Sequence, residues 1–201
     1  MGRERKEPVE KQHQHQNNPV DMGNLIPYMP HQDEDRIIYL AADMTEYSIT
    51  NVINQIFVLA KRDAKKPIYL LINSYGGEID SMFALYDAIK LIGAPIHTIA
   101  LGKVMSAGVL ILASGKRGER SIGANCRVMI HSILGGNYGN VFEQQNNMSE
   151  MNRLQKLMEK CLAKETGQTK KKIHKIMKKG QDKYLTAEEA KDLGIVDKII
   201  G

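Results

Sequence analysis

Three short stretches of this chain carry residues able to perform acyl-transfer chemistry. In Gly102-Lys-Val-Met-Ser106-Ala-Gly-Val-Leu110 one hydroxyl stands among small and apolar residues, which makes Ser106 the candidate nucleophile. A serine hydroxyl at neutral pH attacks a carbonyl only when a base takes its proton and donors await the developing oxyanion. Gly76-Gly77 offers the donors, because no Cβ at either position keeps a carbonyl from the backbone amides. His131 ends the apolar run Arg127-Val-Met-Ile130 ahead of a glycine-rich segment and offers a base. Each signal alone has a structural explanation: a serine opening a helix, glycines in a turn, a histidine at a strand end. Their meaning depends on the elements that position them.

Those elements follow from the apolar pattern. Arg36 to Ala41, Pro67 to Asn73, Ile96 to Leu101 and Arg127 to His131 are continuous apolar runs, the mark of strands buried on both faces. Between the first two, Ile49, Val52, Ile53, Ile56, Phe57 and Ala60 recur at helical spacing, and Met82, Leu85, Tyr86, Ile89 and Leu91 do so before the third. Strands of this kind alternating with amphipathic helices predict an α/β fold of parallel βαβ units. The strand from Ile96 leads directly to Gly102, so Ser106 falls in the first turn of the next helix, at the carboxyl edge of the sheet where open α/β folds place their sites. A long helix is expected from Val141 to about Lys164, ended by Gly167. Its stripe of Met148, Met151, Leu154, Met158 and Cys161 fits either core packing or a self-association seam. A basic helix over Lys170 to Lys179 follows, then a short one capped by Thr186 with Glu189, and Ile195 to Ile200 closes the chain.

Composition narrows the function classes. The 201 residues are 42% hydrophobic and 25% charged, ordinary for one soluble domain. Residues 1–24 are polar and Gln-rich and are expected to be a flexible arm, leaving 25–201 as the folded domain. His13 and His15 in that arm read as solvated rather than metal-binding. No apolar run approaches the ~20 residues of a membrane span, and the N-terminus lacks the apolar region of a secretory signal, so a cytoplasmic protein is expected. Cys126 and Cys161 lack CxxC spacing and read as reduced structural residues, with no metal or other cofactor implied. The net charge of +5 sits largely in Lys170 to Lys179 and Arg3 to Lys6 without interleaved aromatics, and the chain has no Trp and 3 Phe. That pattern does not suit nucleic-acid binding.

The set of motifs says more than any member. Asn73-Ser-Tyr-Gly-Gly77, Gly102-x-x-x-Ser106, Gly115-Lys-Arg117, Arg127-Val-Met-Ile-His131, Leu134-Gly-Gly136, Asp182-Lys-Tyr-Leu-Thr-Ala-Glu-Glu-Ala190 and Gly194-Ile-Val-Asp197 occur in this order. From about Arg36 onward the chain closely resembles the ClpP family, the proteolytic subunits of Clp proteases. The resemblance implies the ClpP/crotonase-type α/β fold, a spiral of βαβ units with a protruding strand-helix handle at about 132–165. It implies a serine endopeptidase in which Ser106 is the nucleophile, His131 the general base and Asp182 the residue that orients the imidazole. The oxyanion hole would be the backbone N–H groups of Gly77 and Ala107. Extended substrate would lie between Gly76, Glu78 and Ile79 on one side and Ile133, Leu134 and Gly135 on the other, pairing main chain with main chain. The implied assembly is a homo-oligomer of stacked, heptameric rings enclosing the sites, with the long helix at the ring-to-ring contact. Its substrates would be unfolded polypeptides, delivered by a Clp family ATPase.

The chain also departs from the family pattern. Ala107 stands where Met is usual, Tyr75 replaces proline, Ser132-Ile133 replaces Gln-Pro, and the interval from His131 to Asp182 is slightly longer. Tyr28 to Asp35 replaces the short helix that helps dock the unfoldase. An ATPase-independent peptidase of this type, such as a phage head-maturation protease, would share every catalytic residue. A non-catalytic ring subunit would not need the filled triad, and a crotonase-like acyl-CoA enzyme would share the fold and oxyanion logic without this Ser/His/Asp set.

Overall fold

Seven strands and six helices form among the residues that the computed structural model describes, 36–136, 138–178 and 180–201. The polar arm expected over 1–24, with His13 and His15, lies outside the described residues, as does Tyr28 to Asp35. The order is β1 (Ile37–Leu40), α1 (Glu46–Arg62), β2 (Ile68–Ser74), α2 (Ile79–Leu91), β3 (Ile96–Met105), α3 (Ala107–Ala113), β4 (Ser121–Gly123), β5 (Arg127–Ile130), α4 (Val141–Thr166), α5 (Lys170–Met177), β6 (Lys183–Leu185), α6 (Ala187–Asp192) and β7 (Lys198–Ile200). Strands β1-β2-β3-β4-β7 run parallel in that spatial order. Strand β5 joins β3 in parallel and carries β6 as an antiparallel neighbour. The β2 residues Ile68, Leu70 and Ile72 have no exposed surface, as expected of a central strand covered on both sides. At the edge, β1 leaves Tyr39 55% exposed.

Strand β3 does not end at Leu101 but continues to Met105, because Gly102 takes a left-handed backbone (φ 67) and bends the strand instead of stopping it. The bend changes neighbours. Before it, Ile99 and Ala100 pair with β4; beyond it, Lys103, Val104 and Met105 pair with Arg127, Val128 and Met129 of β5. Gly102 thereby steers the end of β3, and the serine that follows, onto the strand that His131 follows.

Helix ends obey their local signals. Thr45 and Thr186 each form a capping box, with Ser48 and Glu189 respectively, and Gly167 closes α4 in the left-handed region at φ 70. The methionine stripe of α4 divides: Met158 and Leu162 are core, whereas Val141, Phe142 and Met148 near its start are 66%, 77% and 58% exposed. Residues 132–136, before α4, have no ladder partner among the described residues. No helix among the described residues is long and apolar enough to cross a membrane.

Two buried arginines tie loops to the core. Arg36 donates to the carbonyls of Leu59, Asp63, Lys66 and Pro67 at 2.8 to 3.0 Å. Arg120 grips Asp197 with Nη2 at 2.6 Å and Nε at 2.8 Å, and its Nη1 donates to the carbonyls of Ala113 and Glu165. Burial opposes ionisation of Asp197, but the Arg120 hydrogen bonds and the Gly118 amide win and hold its pKa below the usual carboxylate range. A lowered folded-state pKa gives stability that is present above the unfolded value and is lost as pH falls through the folded one. Thermal unfolding should therefore show a steeper loss below about pH 4 in the native chain than in Asp197→Asn, and Asp197→Ala should cost about 3 kcal/mol by leaving a buried guanidinium unpaired. Parallel acid limbs in the two proteins would exclude this role.

Candidate active site

The passage from β3 to α3 is made by one residue. Ser106 has φ 54 and ψ −124, and among the described residues it is the one non-glycine with positive φ. Such a conformation costs on the order of 1–3 kcal/mol and persists where the surroundings over-determine it. Here they do: its N–H donates to the Met129 carbonyl at 2.8 Å, and its own carbonyl accepts the Val109 N–H at 3.1 Å. The sharp turn presents Oγ to the imidazole of His131, whose Nε2 lies 2.6 Å away. With the neutral ring protonated on Nδ1, Nε2 accepts the Oγ–H, and the proton has a direct path to the base. This is the geometry of a nucleophile elbow, although Val104 stands where the GxSxG pattern has its first glycine.

The glycine pair comes from the end of β2. Ser74 Oγ donates to the Ala42 carbonyl at 2.7 Å and accepts the Gly76 N–H at 3.1 Å. Met44 then fastens both sides of Gly77: its N–H donates to the Gly76 carbonyl at 2.7 Å, and its carbonyl accepts the Glu78 N–H at 2.8 Å. Gly76 and Gly77 have φ 98 and 148, where L side chains are strained. A Cβ on Gly76 would come within 2.8 Å of Ser106 Cβ and 2.9 Å of Ala107 N, so the pair lies directly against the elbow. Neither the Gly77 nor the Ala107 amide donates to another group among the described residues. Two unengaged backbone donors beside an activated hydroxyl are what a tetrahedral oxyanion requires.

Around this centre is a cavity of about 510 Å³ bounded by Gly77, Ser106, Ala107 and His131. Met82, Met105, Met129, Met158 and Met177 form much of its wall, with Glu78, Ile79, Ile133 and Leu134 at its sides. Thioether side chains are apolar and pliable, so the space suits apolar groups of varied shape. Of the residues expected to contact substrate, Gly76 is buried behind the elbow and Gly135 packs on Met151. Oε2 of Glu78 accepts from the Glu46 N–H at 3.1 Å and Ser81 Oγ at 2.9 Å, and its backbone N–H and carbonyl are taken by Met44 and Met82, so Glu78 braces α1 and α2 at the side of the cavity.

Asp182 is not brought onto His131. The β5–β6 register pairs Val128 with Leu185, Met129 with Tyr184 and Ile130 with Lys183, so the next step sets Asp182 opposite His131. The ladder stops one pair short, Asp182 is exposed, and it borders a small cavity with Lys175, Ile176, Gln181 and Lys183 instead. No hydrogen bond joins it to the imidazole among the described residues. Asp197 is no substitute, since Arg120 holds it. Burial pushes the Cys126 thiol up to about 11, which leaves no competing nucleophile at that position near neutral pH. Sequence reasoning missed Ser74 and Met44, which anchor the glycine pair, because a serine at a strand end and one methionine carry no pattern.

Comparison with known proteins places these motifs in a wider group. A family model described as Clp protease matches residues 26–201. The chain is 37% identical over 167 residues to the ATP-dependent Clp protease proteolytic subunit 2 of Corynebacterium jeikeium (strain K411), covering 83% of this chain and 79% of that protein. It is 38% identical over 168 residues to the proteolytic subunit 1 of Bifidobacterium longum (strain NCC 2705), covering 83% and 71% respectively. It is also 38% identical over 168 residues to the proteolytic subunit 3 of Nocardia farcinica (strain IFM 10152), covering 83% and 75%.

Proposed function

The chain belongs to the Clp protease family, and from that premise we propose that it is the proteolytic subunit of an ATP-dependent Clp protease, a serine endopeptidase that cleaves unfolded polypeptides. The observation that carries the reading is the 2.6 Å contact between Ser106 Oγ and His131 Nε2 beside the unengaged amides of Gly77 and Ala107. In the first step His131 Nε2 takes the Ser106 proton as Oγ bonds to the scissile carbonyl carbon. The oxyanion is held by the two amides, each worth about 3 kcal/mol in the transition state. His131 then gives its proton to the departing amine as the C–N bond breaks, leaving an ester on Ser106. Water repeats the sequence: His131 removes its proton, the ester is hydrolysed, and the proton returns to Oγ.

Substrate backbone lies between Glu78–Ile79 and Ile133–Gly135, with an apolar side chain in the methionine-walled cavity next to the scissile bond. Asp182 completes the site when its carboxylate accepts the His131 Nδ1–H, a reading supported by the β5–β6 register, which ends one pair earlier at Ile130 and Lys183. The protein works as stacked heptameric rings fed by a Clp family ATPase. The uncovered apolar surface of Val141, Phe142 and Met148 supports a ring-to-ring role for α4, and the relatives' description as ATP-dependent supports the ATPase.

A fluorophosphonate probe tests the centre: it should label Ser106 in the native protein and fail to label His131→Ala. In the same preparations Asp182→Asn should lower peptide hydrolysis by about 10⁴-fold, as expected when an imidazole loses its orienting carboxylate. Native rates in Asp182→Asn would remove Asp182 from the mechanism.

A further inference from the structure

The wall of the cleft that follows His131 has little to hold it. Residues 132–136 belong to no strand among the described residues, and Ile133 supplies an N–H at a position where the family resemblance leads one to expect proline. That N–H donates to Gln155 Oε1 of α4 at 2.9 Å. On the other side of the same amide, Gln155 Nε2 donates to Glu159 Oε1 at 2.8 Å and lies 3.7 Å from Met177 Sδ, another side chain of the cleft wall. Glu159 is 8% exposed and also meets His174 Nδ1 of α5, at 2.9 and 3.1 Å from its two oxygens. Chemistry fixes the orientation of the Gln155 amide: a backbone N–H can only donate, so the amide oxygen faces Ile133 and the nitrogen is left to face Glu159. One helical turn earlier on the same face, Met151 packs on Gly135, whose missing side chain leaves room for it.

We infer that Gln155 is a positioning residue for peptide hydrolysis: clamped by Glu159, it holds the Ile133 backbone at the spacing an extended substrate needs. It touches neither Ser106 nor His131 among the described residues, so its influence falls on peptides that lie along 132–135 and not on the acylation centre. The inference rests on the proposed endopeptidase reading, which supplies the substrate. It assigns Glu159 a second-rank role, because Glu159 acts on the cleft only through the amide of Gln155.

The test compares the full-length native protein with Gln155→Leu, Glu159→Gln and the double variant, using two readouts. One is the rate of Ser106 labelling by a small fluorophosphonate, which does not reach 132–135; the other is KM and kcat for extended chromogenic peptides. Gln155→Leu should raise KM about tenfold, the cost of an unsatisfied amide and a loosened strand, with kcat and labelling within about twofold of native. Glu159→Gln should change KM in the same direction and by less, since its side-chain oxygen still accepts from Gln155. The double variant should be no worse than Gln155→Leu. Unchanged KM, labelling that falls in step with peptide hydrolysis, or additive effects in the double variant would each overturn the inference. If Gln155→Leu does not fold, Glu159→Gln decides alone by its KM. A native protein that neither labels nor cleaves would instead refute the endopeptidase reading, whatever the variants do.

Discussion

Ser106→Ala is expected to abolish peptide hydrolysis, lowering kcat by about 10⁶-fold, while the folded state and particle size are retained. The loss is large because the base, the donors and the cavity all serve one oxygen atom; without it, they retain only the modest catalysis of a binding site. Stability should not suffer, since the one hydrogen bond of Ser106 Oγ among the described residues is to His131 Nε2. Indeed Ser106→Gly should unfold at a higher temperature than the native protein, by relieving a φ of 54 that any residue with a Cβ tolerates poorly, and should be equally inactive. Calorimetry beside a peptide assay separates the two effects. Robust cleavage by Ser106→Ala would refute the assignment of the nucleophile.

Gly76→Ala should lower kcat/KM by about 10³-fold. The added methyl would sit 2.7 Å from the Met105 carbonyl oxygen, 2.8 Å from Ser106 Cβ and 2.9 Å from Ala107 N. None of these is the far end of a flexible side chain, so the methyl forces apart the elbow and the strand that carries the Gly77 donor. Its φ of 98 adds strain on top of the clash. Both halves of the oxyanion hole then shift relative to the nucleophile. Unlike Gln155→Leu, this variant should lose fluorophosphonate labelling together with peptide hydrolysis, because the small reagent needs the same oxyanion donors. Native labelling in Gly76→Ala would show that the close approach of the two segments is unimportant.

How much of this was legible beforehand depended on whether a feature is local. The runs of β1, β2 and β3 and the periodic faces of α1 and α2 announce themselves, because burying both faces of a strand or one face of a helix demands those residues. Ser106, Gly77 and His131 were reached as a set, through motif order. Strands β4 and β6 are three residues each and too short to show a period; they exist because a neighbour offers an edge. The course of β3 past Gly102 is not legible in sequence, since a glycine that ends a strand and one that bends it look alike there. The register that sets Asp182 opposite His131, and the separation that remains between them, belong to tertiary pairing. Gln155 stayed hidden for the same reason: a glutamine on a polar helix face is unremarkable until the chain folds Ile133 onto its amide oxygen.

Helix α4 has one further consequence. Its 26 residues make a rod about 39 Å long. Near one end it bears the uncovered Val141 and Phe142, and farther along it bears the Met151, Gln155 and Glu159 that hold the cleft wall. One continuous helix therefore joins the uncovered apolar patch to the cleft wall. If copies of the chain assemble through that patch, as proposed above, the contact between them is only a few helical turns from the residues that hold 132–135.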